Sequence, residues 1–228
     1  MALANAIGRV IVAAVPTVAP GALSGLLRRV IDIAVDGQSK FPGARVSAGK
    51  HLQKANGDVE TAIAALIRTH VGMAGAQGFV TNVGGIATLA ASLPANLAGV
   101  AIVQSRMVAA VAHLRGYDLD DSRVRTAILM CLLGRTGVQD LIAKGDLPST
   151  PMGIATAPAL DQHLEQQVAE RVLGGLMTVS GGKQMVSFLG KRIPVIGGGF
   201  GAAADGYTTM AVARYAREQF VNRRPARS

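Results

Sequence analysis

The side chains able to do chemistry are few and widely spaced. Cys131 is the single cysteine and lies in the apolar run Ala127-Ile128-Leu129-Met130-Cys131-Leu132-Leu133, where a thiol behaves as a small hydrophobe. The four histidines, His51, His70, His113 and His163, show no i, i+4 pairing. No metal site and no cofactor are expected from them. Asp118, Asp120 and Asp121 gather three carboxylates, but no Glu follows at calcium-loop spacing, and helix capping explains them better. Were the chain an enzyme, its polar pocket would be built around His70, Gln77, Asn82 and Asn96. Asp205 is the one carboxylate of a greasy C-terminal stretch, and a hydrogen bond to a neighbouring helix is its expected role.

Two glycine clusters imitate nucleotide sites and fail on physical grounds. Val195 to Ala202 resembles the Gly-x-Gly-x-x-Gly/Ala turn of a dinucleotide fold, but that turn must leave a strand and feed a parallel sheet. Here Pro194 interrupts the supposed strand, and only ten residues follow Glu218. Ser180-Gly181-Gly182-Lys183 lacks the leading glycine of a phosphate loop, and Gln184 replaces its Ser/Thr.

The elements that must position these residues are helices. After Asp58, apolar residues fall at Val59, Ile63, Leu66 and Ile67 with helical period. A second helix starts at Asp120 or Asp121, runs through Val124, Ile128, Cys131 and Leu132, and stops at Gly134. A third carries Leu160, Leu164, Val168 and Val172 inward, with Glu165 and Glu170 outward. No sustained alternation argues for a sheet. The reading is an all-α chain, a compact bundle of about eight Gly/Ala-rich helices in a single domain spanning 1–228. A Pro-rich loop at 144–158 is expected to divide it into two halves.

Composition agrees with close helix packing. Half of the residues are apolar, yet aromatics make up 4% and glycines number 28, so the apolar matter is small and aliphatic. The net charge of +9 favours anionic partners, and scattered basic residues without interleaved aromatics argue against nucleic acid. Two tracts stand apart. From Val71 to Ser105 there is no Asp, Glu, Lys or Arg, and from Ile193 to Ala213 Asp205 is alone. Glycines and polar residues dilute both as single membrane spans. Tight helix pairing is expected at Gly84 and Gly85 and along Gly197, Gly201 and Asp205, which recur every four residues. Lys183, Lys191 and Arg192 before the second tract, with Arg214 and Arg217 after it, are the expected contacts to a membrane surface.

Several phrases in order carry a family likeness. They are Ile31-Asp32-Ile33-Ala34-Val35-Asp36-Gly37, the run from Ala74 to Gly85, Leu93-Pro94-Ala95-Asn96, Gln104-Ser105-Arg106-Met107, Gly116-Tyr117-Asp118, and the tail from Ile193-Pro194 to Phe220. Over about residues 20 to 220 the chain resembles the EcsC protein family. That family is named for a gene beside an ATP-binding-cassette transporter pair, and its members are regarded as membrane-associated. The resemblance implies a transporter or secretion-linked partner and brings no catalytic residue set. The resulting expectation is a non-enzymatic, membrane-associated accessory protein, cytoplasmic and peripheral or partly embedded at the inner face of the cell membrane. The alternative is a soluble helical binding or self-association module, for which a homo-oligomer is the expectation.

Overall fold

A computed structural model describes residues 20–38, 41–75, 95–159, 162–180 and 199–224. Among these the chain is all-α, with nine helices and one two-residue hairpin. The helices are α1 (Pro20–Asp36), α2 (Ala44–Lys54), α3 (Val59–Gly75), α4 (Ala95–Leu114), α5 (Ser122–Cys131), α6 (Gly134–Ala143), α7 (Pro151–Ala155), α8 (Gln162–Ser180) and α9 (Gly199–Gln219). Strands β1 (Gly37–Gln38) and β2 (Phe41–Pro42) pair antiparallel between α1 and α2.

Local chemistry starts and stops these helices where the residue types predict. The Asp58 carboxylate accepts the Thr61 N–H at 2.7 Å and opens α3. Asp121 does the same for α5, accepting the Arg123 N–H at 2.9 Å. Gly134 takes φ +69 after α5, a left-handed conformation that turns the chain through 108° into α6. The remaining members of the acidic trio also serve structure. Asp118 accepts the Asp120 N–H, and Asp120 pairs with Arg45 at 2.8 Å.

Helix α4 is the centre of the bundle. Every residue from Ala101 to Ala112 is buried, and α1, α2, α3, α5 and α9 all pack on it. A helix covered on all sides must be apolar all round and narrow enough for its neighbours to approach. Ala101, Ala109, Ala110 and Ala112 meet that need.

The segment 144–158 is turn and bend at 144–150 and 156–158 around one short helix. It contains α7, whose Thr150 cap accepts the Gly153 N–H and whose first residue is Pro151. Helix α7 lies on α5, α8 lies on α1 and α5, and α9 lies on α3 and α4. One apolar core therefore runs from Leu27 to Phe220 across both halves.

Two pairs of contacts fix the directions of the central helices. Glu60 of α3 meets Arg115, which follows α4, and Arg217 of α9, while His70 meets Arg106 and Val71 faces Gly206. Helix α3 is thus antiparallel to both α4 and α9, which run parallel to each other. The end of α3 at Gly75 and the starts of α4 and α9 share one end of the bundle.

Gly43 sets the hairpin against α1. A β-carbon there would fall 2.3 Å from the Val35 carbonyl oxygen and 2.6 Å from the Asp36 carbonyl carbon, both rigid backbone. Gly49, inside α2, faces nothing within 4 Å. In urea denaturation, Gly43→Ala is expected to lose at least about 1–3 kcal/mol through overpacking. Gly49→Ala is expected to gain about 0.5–1 kcal/mol from helix propensity alone.

Candidate functional site

An arginine in the middle of a buried helix is the most demanding group in the fold. Arg106 of α4 is 4% exposed, and among the described residues no carboxylate pairs with it. Neutral groups take its place. The guanidinium Nε–H donates to Nε2 of His70 at 3.0 Å, and Nη1 donates to the Pro42 carbonyl at 3.2 Å. Nη2 approaches the Met73 sulfur at 3.3 Å, and the guanidinium carbon sits 4.0 Å from the centre of the Phe41 ring. Ring face, thioether, carbonyl and imidazole all present electron density to the cation.

The two partners fix one protonation state. His70 is fully buried in α3, and its Nδ1 lies 2.8 Å from the Leu66 carbonyl, one turn back. That carbonyl can only accept, so Nδ1 carries the proton and Nε2 offers a lone pair to Arg106. Burial, with the neighbouring Arg106 charge second, pushes His70 down to about 4. Burial also brings Arg106 down to about 10, which leaves it charged at neutral pH. The imidazole is therefore a neutral acceptor committed to a cation, not a general base free to take a substrate proton.

Beside this pair α4 carries two more buried polar residues. Gln104 Nε2 donates to Thr209 Oγ1 at 3.1 Å and ties α4 to α9. The Ser105 hydroxyl is buried with no hydrogen-bond partner among the described residues. Cys131 is buried, and desolvation raises its thiol well above the usual range, so it is no nucleophile. No group of three or more His, Cys, Asp or Glu suited to a metal occurs among the described residues.

Just past the C-terminal end of α4 a second arginine makes a clamp. Arg115 donates to Glu60 at 2.6 Å and to the Phe220 carbonyl at 2.9 Å, and Arg217 reaches the other Glu60 oxygen at 3.0 Å. The Arg223 N–H returns to the Arg115 carbonyl, and Phe220 meets Tyr117 edge to face at 5.0 Å. The last turns of α9 and the tail to Arg224 are thereby closed over the ends of α3 and α4.

These positions sort the residues singled out by sequence. His70 is placed, and its partner is Arg106. Gln77 and Asn82 lie outside the described residues, and Asn96 lies in the first turn of α4 with its side chain outside them. Gly84, Gly85, Gly197, Lys183, Lys191 and Arg192 also lie outside. Gly201 and Asp205 belong to the first turns of α9, their surroundings again outside the described residues. The described glycine at the α3–α9 contact is Gly206, where a β-carbon would stand 3.8 Å from Val71 Cγ1. Arg214 is exposed, whereas Arg217 is committed to Glu60, about 27 Å along α9 from Gly199. Sequence reasoning passed over Arg106. Its signal was present, as the charge that ends the silent tract in the middle of an apolar helix.

No family model matches the chain, and neither a curated protein nor a solved structure matches it.

Removing either member of the buried pair strands the other. His70→Leu is expected to cost about 1–3 kcal/mol at pH 7 because the Arg106 Nε–H loses its acceptor. A double-mutant cycle with Arg106→Met should return a coupling of about 1 kcal/mol or more. The pH dependence has a defined sign. His70 binds its proton at about 4 when folded and near 6.5 when unfolded, so the unfolded chain holds more protons between those values. Stability present above pH 6.5 is lost as pH falls toward 4, by up to about 3 kcal/mol. The advantage of the parent over His70→Leu in urea denaturation should shrink across that window.

Proposed function

We propose that this chain is a non-enzymatic, membrane-associated accessory protein that rests on an anionic lipid surface. The observation that carries this reading is the division of charge along the three helices α3, α4 and α9. At the end shared by Gly75, Ala95 and Gly199, α3 carries no charged residue beyond Arg68, α4 none before Arg106, and α9 Asp205 alone before Arg214. The other end holds the Arg115–Glu60–Arg217 clamp and the Arg223 and Arg224 tail. Helices so poor in charge at one end suit a boundary where water gives way to lipid.

The net charge of +9 adds attraction to anionic headgroups. No single helix among the described residues is long and apolar enough to cross a bilayer, so the contact proposed is peripheral or partly embedded. The likeness of the sequence to the EcsC family supports the same reading. It suggests the inner face of the cell membrane as the location and an ATP-binding-cassette transporter as the partner class.

Co-sedimentation tests the reading. The purified chain is expected to pellet with vesicles of mixed phosphatidylcholine and phosphatidylglycerol at low salt, and less so at 1 M salt, where the screening length falls to about 3 Å. Vesicles of phosphatidylcholine alone should retain less. A chain that stays in the supernatant with anionic vesicles at low salt removes the proposal and leaves the soluble helical binding module.

A further inference from the structure

Helix α3 lies between α2 and α9, and all three pack on α4, so the three form a layer with one outer face. Their mutual contacts decide which side chains turn outward. His51 of α2 reaches Thr69 of α3 at 3.3 Å, His70 turns inward to Arg106, and Val71 meets Gly206 of α9. The remaining stripe of α3 is exposed at Arg68 and Gly72, that of α2 at Val46, Lys50 and Lys54, and that of α9 at Arg214. Neighbouring helix axes lie about 8–10 Å apart, so the cations of this face spread over about 20 Å across it.

The charge of this face is not neutralised from within. Lys50, Lys54, Arg68 and Arg214 make no ion pair among the described residues. Arg28, Arg135 and Arg171, on other helices, are matched by Glu165, Glu218 and Asp146. Glu60 is already shared by Arg115 and Arg217. The stretches 1–19, 76–94 and 181–198 contain no Asp or Glu and bring no carboxylate to it. Cations dispersed over a broad face match a surface that disperses its own negative charge, not a compact ligand. Neither α2 nor α3 contains Phe, Tyr or Trp, so they offer no ring on which a nucleic-acid base could stack. Val46, 51% exposed and one turn from Lys50, adds an apolar contact of the kind a headgroup layer accepts.

We infer that the bundle lies on its side on anionic lipid, with the outer face of α2, α3 and α9 toward the membrane and Lys50, Lys54, Arg68 and Arg214 among the phosphates. This rests on the membrane reading and adds to it which face touches lipid and through which residues.

Charge reversal in matched pairs tests the face. Lys50→Glu with Arg68→Glu, and Arg29→Glu with Lys144→Glu, lower the net charge equally. Arg29 on α1 and Lys144 after α6 are exposed outside the layer. With vesicles of mixed phosphatidylcholine and phosphatidylglycerol, the first pair is expected to weaken binding about thirtyfold, the effect of two basic residues at an anionic surface. The second pair, acting through net charge alone, should weaken it by less than about threefold. The chain contains no tryptophan, so one introduced indole reports its own surroundings. Val46→Trp should shift to the blue on the vesicles and be quenched by brominated lipid. Met152→Trp, on α7 at a position 38% exposed, should keep its spectrum. An equal effect of the two pairs, no shift at Val46→Trp, or one as large at Met152→Trp overturns the face while membrane association stands. Binding of an RNA oligonucleotide that the first pair abolishes, with vesicle binding intact, overturns it as well. Failure of the parent chain to pellet with the vesicles removes both.

Discussion

Arg106 has to keep its charge in the interior of a small-residue bundle, and much of the surrounding structure answers to that requirement. An isolated cation moved from water into an apolar core is strongly disfavoured, and a carboxylate partner would itself need desolvation. Here neutral acceptors replace it. The His70 imidazole, the Pro42 carbonyl, the Met73 sulfur and the Phe41 ring surround the guanidinium. Two devices deliver them: His70 and Met73 come from α3, Phe41 and Pro42 from the hairpin. The hairpin can reach α4 because Gly43 lets backbone approach backbone where a β-carbon would collide. The alanines of α4 bring the surrounding helices close enough to seal the pair from water.

The same helix ends in the opposite regime. Arg115 is also buried, but it finds a partly exposed carboxylate and two backbone carbonyls, and it gathers α3, α9 and the C-terminal tail. The two arginines, one inside α4 and one just past its end, mark its change of environment. One is wrapped in neutral acceptors next to the charge-poor end; the other anchors a network of ions open to water. A second network, in which Arg45 and Arg125 share Asp36 and Asp120, pins α1, α2 and the turn before α5 together at the surface. Ions at that exposure contribute modestly to stability, so their effect is mainly to fix which helix ends meet.

Much of the helical layout was legible from residue type. Asp58 and Asp121 announce helix starts because a carboxylate satisfies orphan amide groups, a local effect independent of the rest of the chain. Val168 and Val172 announce the inner face of α8 by period alone, and both are fully buried. The Pro-rich segment was legible in part: 144–150 and 156–158 are turn and bend, while Thr150 and Pro151 start the one-turn helix α7, which packs on α5. Of the polar set, His70 was visible as a lone imidazole in an apolar neighbourhood. Its partner lies 36 residues away on another helix, and no local pattern encodes such a distance.

By itself the sequence determined the class of secondary structure, the size of the core-forming side chains, and the separation of charge into silent and basic stretches. Those are properties of neighbours along the chain and of composition. Tertiary structure alone decided that α3 runs against α4 and α9, which sets their charge-poor ends side by side and assigns Arg217 to Glu60 rather than to solvent. It also decided that His70 is a neutral acceptor. Direction and pairing depend on which helix faces meet, and burial acts on a titratable group only after distant segments have closed around it.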